Sequence, residues 1–395
     1  MRGKITVTHN NYGVNSLRQK QKNHGLVLKI IATGDAVSRT DLSARIGLTK
    51  MAVTNIVSEL IDQGFVAETE KLSNAAVGRN RVVLDISAGA PLAVGVYISR
   101  MSVTAVLTDL RLRLISKAEQ PLSCESRRTL TDKLYDVLDK VIAVAGGTDR
   151  ILGVGVSSIG PVDSLENRIL NPRGFFGISD YSFGRLICER YGLRVVSNND
   201  MNAAALAESL YGRGCAYTDF IYMGLTAGVG AGIVTQGQLF QNNSSFAGEI
   251  GHVQADSHGE VCECGMRGCL EQYASMPVVL GKLREATGMP ELTYRDIRSC
   301  WSLPTCRPVF DSLTDKISLV LTSVTNLLNP QCIIIGHEGY YLPEECLEKV
   351  EGFVNSHILA ASHTKVRVIH SCFGEDAPLV GGACCLLKEL FDGEL

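Results

Sequence analysis

Between Glu249 and Gln272 the chain reads EIGHVQADSHGEVCECGMRGCLEQ. Cys262, Cys264 and Cys269, with an imidazole from His252 or His258, are the sulfur and nitrogen donors that tetrahedral Zn2+ takes. Gly259, Gly265 and Gly268 let so short a loop turn tightly enough to aim four donors inward. Four protein ligands leave no open position for water, so such a centre holds a loop and does not activate a nucleophile. The competing reading is three unrelated core thiols. A Cys-x-Cys-x4-Cys run this rich in glycine suits neither a buried helix nor a strand, which weighs against it.

A second candidate is SNNDMNAAALAE, from Ser197 to Glu208. Asp200 stands where the strand RVVS gives way to a helix. A carboxylate there, facing a cleft, is placed to accept a hydroxyl proton. Equally, Asn-Asp at such a junction is an ordinary helix N-cap, and the residues alone do not separate the two. A third is GLTAGVGAG, Gly224 to Gly232, whose backbone N–H groups can cradle phosphate. Tight hairpins use glycine just as often.

These loops need a scaffold. At 395 residues the chain exceeds a single typical core, so two or three domains are expected. No apolar run is long enough to cross a bilayer, and MRGKITVTHNNYG lacks the apolar core of a signal peptide. The 13 cysteines are an odd number, which argues for reduced thiols and a cytoplasmic protein without membrane insertion. Residues 1–90 hold 12 Lys and Arg against 7 Asp and Glu, and the rest hold 26 against 34. A basic first segment on an acidic body suits a polyanion partner for that segment.

In that segment HGLVLKIIATG reads as a helix with Val27, Ile30 and Ile31 on one side. Ser38 N-caps a second helix that Gly47 closes, with Asp41 completing a capping box. Thr49 N-caps a third, whose apolar face is Val53, Ile56, Val57, Leu60 and Ile61. FVAETEKLSNAAVGRNRVVLDIS then gives strand, tip, strand. Helix, turn, helix and wing form a winged helix-turn-helix, expected over residues 1–89. The second helix of such a motif enters the major groove by its first half. Its outward residues are Thr49, Lys50, Met51, Thr54 and Asn55, of which Asn suits adenine and Lys guanine or phosphate. Arg39 and the wing pair Arg79 and Arg81 suit phosphates or the minor groove. A protein-binding three-helix module is the plainer alternative.

From Pro91 onward three strands, a helix carrying Leu130, Leu134, Val137, Leu138 and Val141, and a buried strand appear in that order. DFIYMGL, VGAGIVTQG, QLF, a helix with Ile317, Leu321, Val324 and Leu328, and QCIIIGH repeat the order. Two similar α/β lobes with a cleft between them follow. The first lobe is expected at 90–198, joined by a closing helix at 377–395, and the second at 199–376.

Together GEIGH, CECGMRGCLE, NND and Gly160–Pro161 resemble the ROK family of sugar kinases and sugar-responsive repressors, on an actin/hexokinase-like fold. The resemblance covers nearly the whole chain, and the N-terminal winged helix resembles the repressors, since the kinases lack one. It implies structural Zn2+ on His252, Cys262, Cys264 and Cys269, and sugar binding by Asn199, Asp200, Glu249, His252 and Glu271. His252 would then hold zinc with one ring nitrogen and face the sugar with the other.

The nucleotide side departs from the family pattern. Where the kinases carry Asp-x-Gly-Gly-Thr, this chain reads VYISRMS, with Tyr97, Ser99, Arg100 and Met101. Thr226 and Ala227 replace a Gly-Thr pair, and His337 and Glu338 stand where glycines are usual. The expectation is a repressor of sugar uptake or catabolism genes without phosphoryl transfer, Asp200 being a vestigial base. It would bind pseudo-palindromic operator DNA as a homodimer or tetramer, controlled by a sugar, a sugar phosphate or a sugar-transport protein. The alternative is an ATP-dependent sugar kinase with an added DNA-binding domain. A purely structural adaptor fits poorly with the intact sugar set.

Overall fold

The computed structural model describes residues 16–35, 37–70, 82–240 and 246–395. Two compact units result: Met1–Ala90 with Leu387–Leu395, and Pro91–Leu386.

In the smaller unit, helices α1 (Ser16–Thr33), α2 (Arg39–Ile46) and α3 (Lys50–Asp62) precede an antiparallel hairpin of β1 (Val66–Glu70) and β2 (Val82–Ile86). Ser38 and Asp41 form the capping box of α2, and Gly47 ends it with φ 69°. Thr49 caps α3 by accepting from the Ala52 N–H. Val27, Leu28, Ile31, Leu42, Val53 and Val57 close the core, while Ile30 and Ile61 are only half-buried. The hairpin tip, with Arg79 and Arg81, lies outside the described residues.

In the larger unit β3 (Leu92–Ile98), β4 (Ser102–Thr108) and β5 (Leu114–Pro121) lead to α4 (Arg127–Ala145) and β6 (Ile151–Ser158). A small hairpin of β7 (Val162–Asp163) and β8 (Arg168–Ile169) follows, then α5 (Phe183–Tyr191), β9 (Val195–Asn199) and α6 (Asp200–Tyr211). The sheet runs β5-β4-β3-β6-β9. The second lobe opens with β10 (Phe220–Leu225), β11 (Val229–Thr235) and β12 (Gln238–Leu239). Its helices are α7 (Glu271–Ala274), α8 (Met276–Thr287), α9 (Ile297–Cys300) and α10 (Arg307–Leu328). Next come β13 (Cys332–His337), α11 (Glu344–His357), β14 (Arg367–His370) and α12 (Ala377–Asp392). Its sheet, β12-β11-β10-β13-β14, repeats the first with the same parallel and antiparallel pairings.

To the order read from sequence the first lobe adds α5 and the small β7–β8 hairpin, and the second adds α7, α8, α9, α11 and β14. α5 and β14 are short, at nine and four residues, whereas α11 runs 14 residues and buries Leu347, Val350 and Val354 on one face. Long α10 begins at Arg307, ahead of Ile317 where the apolar pattern starts. The first part of α12 packs so closely on the first sheet that a Cβ on Gly155 would lie 1.9 Å from the Gly382 carbonyl oxygen. Its last residues differ from expectation, because Leu387–Leu395 group with the smaller unit and not with the first lobe. There Gly25 of α1 leaves room for the Phe391 backbone.

Candidate sugar cleft, metal knot and DNA-reading helix

A cavity of about 760 Å³ opens in the larger unit. Asn199, Asp200, Glu249, His252 and Glu271 all line it, although they come from a strand end, a helix start and two ends of the cysteine loop. The N-cap role belongs to Asn199, whose side-chain oxygen accepts the Asn202 N–H at 2.8 Å. Asp200 is thereby released from capping. It is buried, and its Oδ1 accepts the Met201 N–H at 3.0 Å. Burial pushes its carboxyl up to about 7, against the opposing pull of that N–H and of Arg100. Glu249 is also raised, chiefly by burial and further by Glu271, with His252 opposing. Glu271 Oε2 accepts the Val229 N–H at 3.0 Å, which fastens this carboxylate to the Gly-rich turn.

The loop between Glu249 and Glu271 folds back on itself. Bridges pair Gln254 with Cys269 and Val261 with Arg267. Gly268 has φ 64°, and a Cβ there would meet the Asp256 carbonyl oxygen at 1.7 Å, so no other residue fits. Donor atoms of His252, Cys262, Cys264 and Cys269 lie within 4.8 Å of one another. Nδ1 of His252 is the nitrogen on this side, 3.7 Å from Cys262 Sγ. Burial and the neighbouring thiols push Cys269 up to about 12. Three thiols so crowded become mutually tolerable as thiolates when a divalent cation shares them, so the donor set fits a metal ion. His258 is exposed and bonds Ser257 instead, outside the cluster. The knot is tied to α10 by Lys316 and Asp256 at 2.8 Å.

The opposite side of the cleft is filled from within the chain. The β3–β4 turn spends two N–H groups on itself, since Met101 and Ser102 donate to Ser99 Oγ at 3.0 and 2.9 Å. Arg100 donates through Nε and Nη2 to the Arg173 carbonyl at 3.3 and 3.1 Å. His337 is buried, with φ 54° and ψ −143°, a backbone region that glycine occupies far more readily. Its Nδ1 lies 3.0 Å from Tyr222 Oη, and Nε2 is 4.0 Å from Asp200 Oδ2. Burial pushes this imidazole down to about 3, so it is neutral. Tyr97 is raised well above its ordinary value, by burial first and Asp200 second.

In the smaller unit Thr49, Lys50, Met51, Thr54 and Asn55 are all exposed along one side of α3. Thr54 Oγ1 donates to the Lys50 carbonyl at 2.8 Å, so its hydroxyl is partly engaged. Arg39 differs from the others. Its Nη1 sits 2.6 Å from Glu68 Oε1 on β1, an ion pair that links α2 to the hairpin. Arg173 and Asn171 also line the cleft without having been singled out in the sequence. Arg173 Nη1 lies 3.7 Å from Glu263. Nothing in the chain pattern links residues so far apart.

A two-lobed body with duplicated sheets, a polar cleft and a cysteine–histidine knot beside it defines a class, and comparison with known proteins agrees. The model of the ROK family matches residues 94–389, and the chain belongs to that family. A xylose repressor from Caldicellulosiruptor bescii is 26% identical over 387 residues, covering 94% of this chain and 96% of its own. A solved structure described as a ROK family transcriptional regulator, homologue of the Escherichia coli Mlc protein, superposes with a TM-score of 0.81 at 25% identity, covering 95% of this chain and 98% of that one. A ROK hexokinase from Thermus thermophilus superposes with a TM-score of 0.63 at 24% identity, covering 97% of its own length but 74% of this chain.

Proposed function

We propose that this protein is a DNA-binding transcriptional repressor of sugar uptake or catabolism genes, with a kinase-like body that senses a ligand and does not transfer phosphate. One observation carries the reading. The regulators match this chain almost end to end, whereas the hexokinase leaves a quarter of it uncovered, and the N-terminal unit holds a helix-turn-helix with a hairpin behind it. Lys50, Met51 and Asn55 present side chains for base edges. Two such units in a homodimer suit a pseudo-palindromic operator.

In the cleft, Asn199, Asp200, Glu249 and Glu271 offer the fixed donors and acceptors that sugar hydroxyls need. Zn2+ on His252, Cys262, Cys264 and Cys269 would hold the loop that presents Glu249 and Glu271. Lobe closure on the ligand is the two-state element, and a ligand acts only by its different affinity for the two states. The test is an operator-binding assay on duplexes selected from a random pool. Sequence-specific binding that a sugar or sugar phosphate weakens is expected; binding without sequence preference under every condition sinks the reading.

One observation favours sugar kinase activity as a second reading: Asp200 is held in the cleft with a carboxyl near neutrality, as a general base requires. Ser99, His337 and Glu338 weigh against it, since side chains stand where nucleotide phosphates need bare backbone. ADP release at ~1 s⁻¹ or faster on any hexose, pentose or amino sugar would establish the kinase.

A further inference from the structure

We infer that His337 is a positioning residue for the ligand: its Nε2–H donates to Asp200 Oδ2 when a sugar hydroxyl engages Asp200, and so fixes that carboxylate in its binding orientation. The inference rests on the sugar reading of the cleft and adds to it a residue that does not itself line the cavity.

The tautomer follows from the hydrogen bonds. Tyr222 Oη accepts the His337 backbone N–H at 3.1 Å, and the same oxygen lies 3.0 Å from His337 Nδ1. A phenol has one O–H to give, and Nδ1 is its acceptor here. Burial keeps the ring neutral, so its one proton sits on Nε2. His337 is only 3% exposed, and Nε2 has no hydrogen-bond partner among the described residues. A buried donor left in that state is costly. The group it faces is Asp200 Oδ2 at 4.0 Å, about 1 Å beyond a hydrogen bond. His337 also holds φ 54° and ψ −143°, and a backbone kept in such a region points to a side chain in use.

The next residue limits how the gap can close. A Cβ on Gly224 or Gly230 would lie 2.2 or 3.0 Å from the Met201 side chain, so the start of α6 is pressed on the second sheet. Closure is then a rotation of the Asp200 carboxyl and not a shift of α6. Without a ligand, burial favours the protonated carboxyl, with Glu249 adding to it and the Met201 N–H and Arg100 opposing. A protonated carboxyl attracts an N–H weakly. A sugar hydroxyl that donates to Asp200 favours the carboxylate, which draws Nε2–H onto Oδ2 as a charge-assisted bond. That bond belongs to the liganded state, so it adds to ligand affinity. Tyr222 and His337 lie on β10 and β13 of the second sheet, and Asp200 follows β9 of the first. A ligand on Asp200 is thereby coupled to both sheets.

The test titrates the full-length protein by calorimetry with xylose, glucose and N-acetylglucosamine, and carries the tightest binder to two variants. His337→Gln keeps a side-chain N–H near the place of Nε2. His337→Asn keeps an acceptor near the place of Nδ1 and has no donor at the other. The Asn variant should lose about ten- to a hundredfold in affinity, the margin of a charge-assisted hydrogen bond, and the Gln variant should stay within about threefold of the wild type. Nitrogen-15 spectra of histidine-labelled wild type, assigned by the resonances missing from His337→Gln, read the ring directly. They should show a neutral imidazole protonated on Nε2, with saturating sugar moving Nε2 and leaving Nδ1 in place. A proton on Nδ1, an Asn variant that binds as the wild type does, or a Gln variant that loses as much as Asn overturns this inference alone. If no sugar binds the wild type, the sugar reading of the cleft falls, and this one falls with it.

Discussion

The hairpin between β3 and β4 and the hairpin between β10 and β11 hold equivalent places in the two repeated sheets. The second keeps Gly224, Gly228, Gly230 and Gly232, and its turn opens on the cleft beside Glu271. The first carries Ser99, Arg100 and Met101 in its turn, and Ser99 Oγ accepts the N–H groups of Met101 and Ser102. The same scaffold thus carries a glycine-lined turn in one lobe and a turn closed on a serine side chain in the other. The asymmetry extends outward from the turns. Asn199, Asp200, Glu249 and Glu271 line the cleft, whereas His337 is buried and Tyr97 and Glu338 are half-buried.

That contrast breaks first at the knot. Cys269→Ala should abolish stoichiometric zinc, read by metal analysis, and abolish sugar binding, while the smaller unit keeps its helical circular dichroism. A sugar response that survives metal loss would separate knot from cleft.

Asp200 sharpens the contrast through pH. Its ordinary value is 3.8 and its folded value about 7. The folded chain therefore holds a proton that the unfolded chain releases between those values. Stability contributed here is lost as pH rises from about 4 to about 7, and is flat beyond. Asp200→Asn should gain on the wild type across that window, by on the order of a few kcal/mol at about pH 8. Denaturant melts at two pH values read this, and a constant difference would mean Asp200 ionises normally.

Glu271→Gln should weaken sugar binding about ten- to a hundredfold with operator affinity intact. Lys50→Ala and Asn55→Ala should do the reverse, each costing roughly tenfold in operator affinity and nothing in the cleft. The smallest expected effect is none at all: millimolar ATP should not shift the melting temperature, and a clear shift would reopen the nucleotide half.

Much of this was legible early, wherever local rules decide. Ser38, Thr49, Gly47 and the apolar face of α3 are read by capping and periodicity, and the structure keeps them. The strands beginning at Leu92 and Phe220 were legible as buried apolar runs. β9 was legible as the strand RVVS, whereas β14, which completes the second sheet, has four residues, too few for a periodic pattern. Asp200 marks the limit at the site. Capping and base were equal readings until Asn199 proved to be the cap.

The sequence by itself determined which residues bear the chemistry: three cysteines at loop spacing, an Asn-Asp pair at a strand end, and glycines where side chains would collide. Only the tertiary structure decided which of them meet. His252 was chosen over His258 because the loop folds back along Gln254 and Cys269. Arg39 was drawn to Glu68, and Arg100 to the carbonyl of Arg173. The reason is physical. Caps and turns act over a few residues and can be read along the chain, whereas partners far apart in sequence are set only when the sheets and loops have packed.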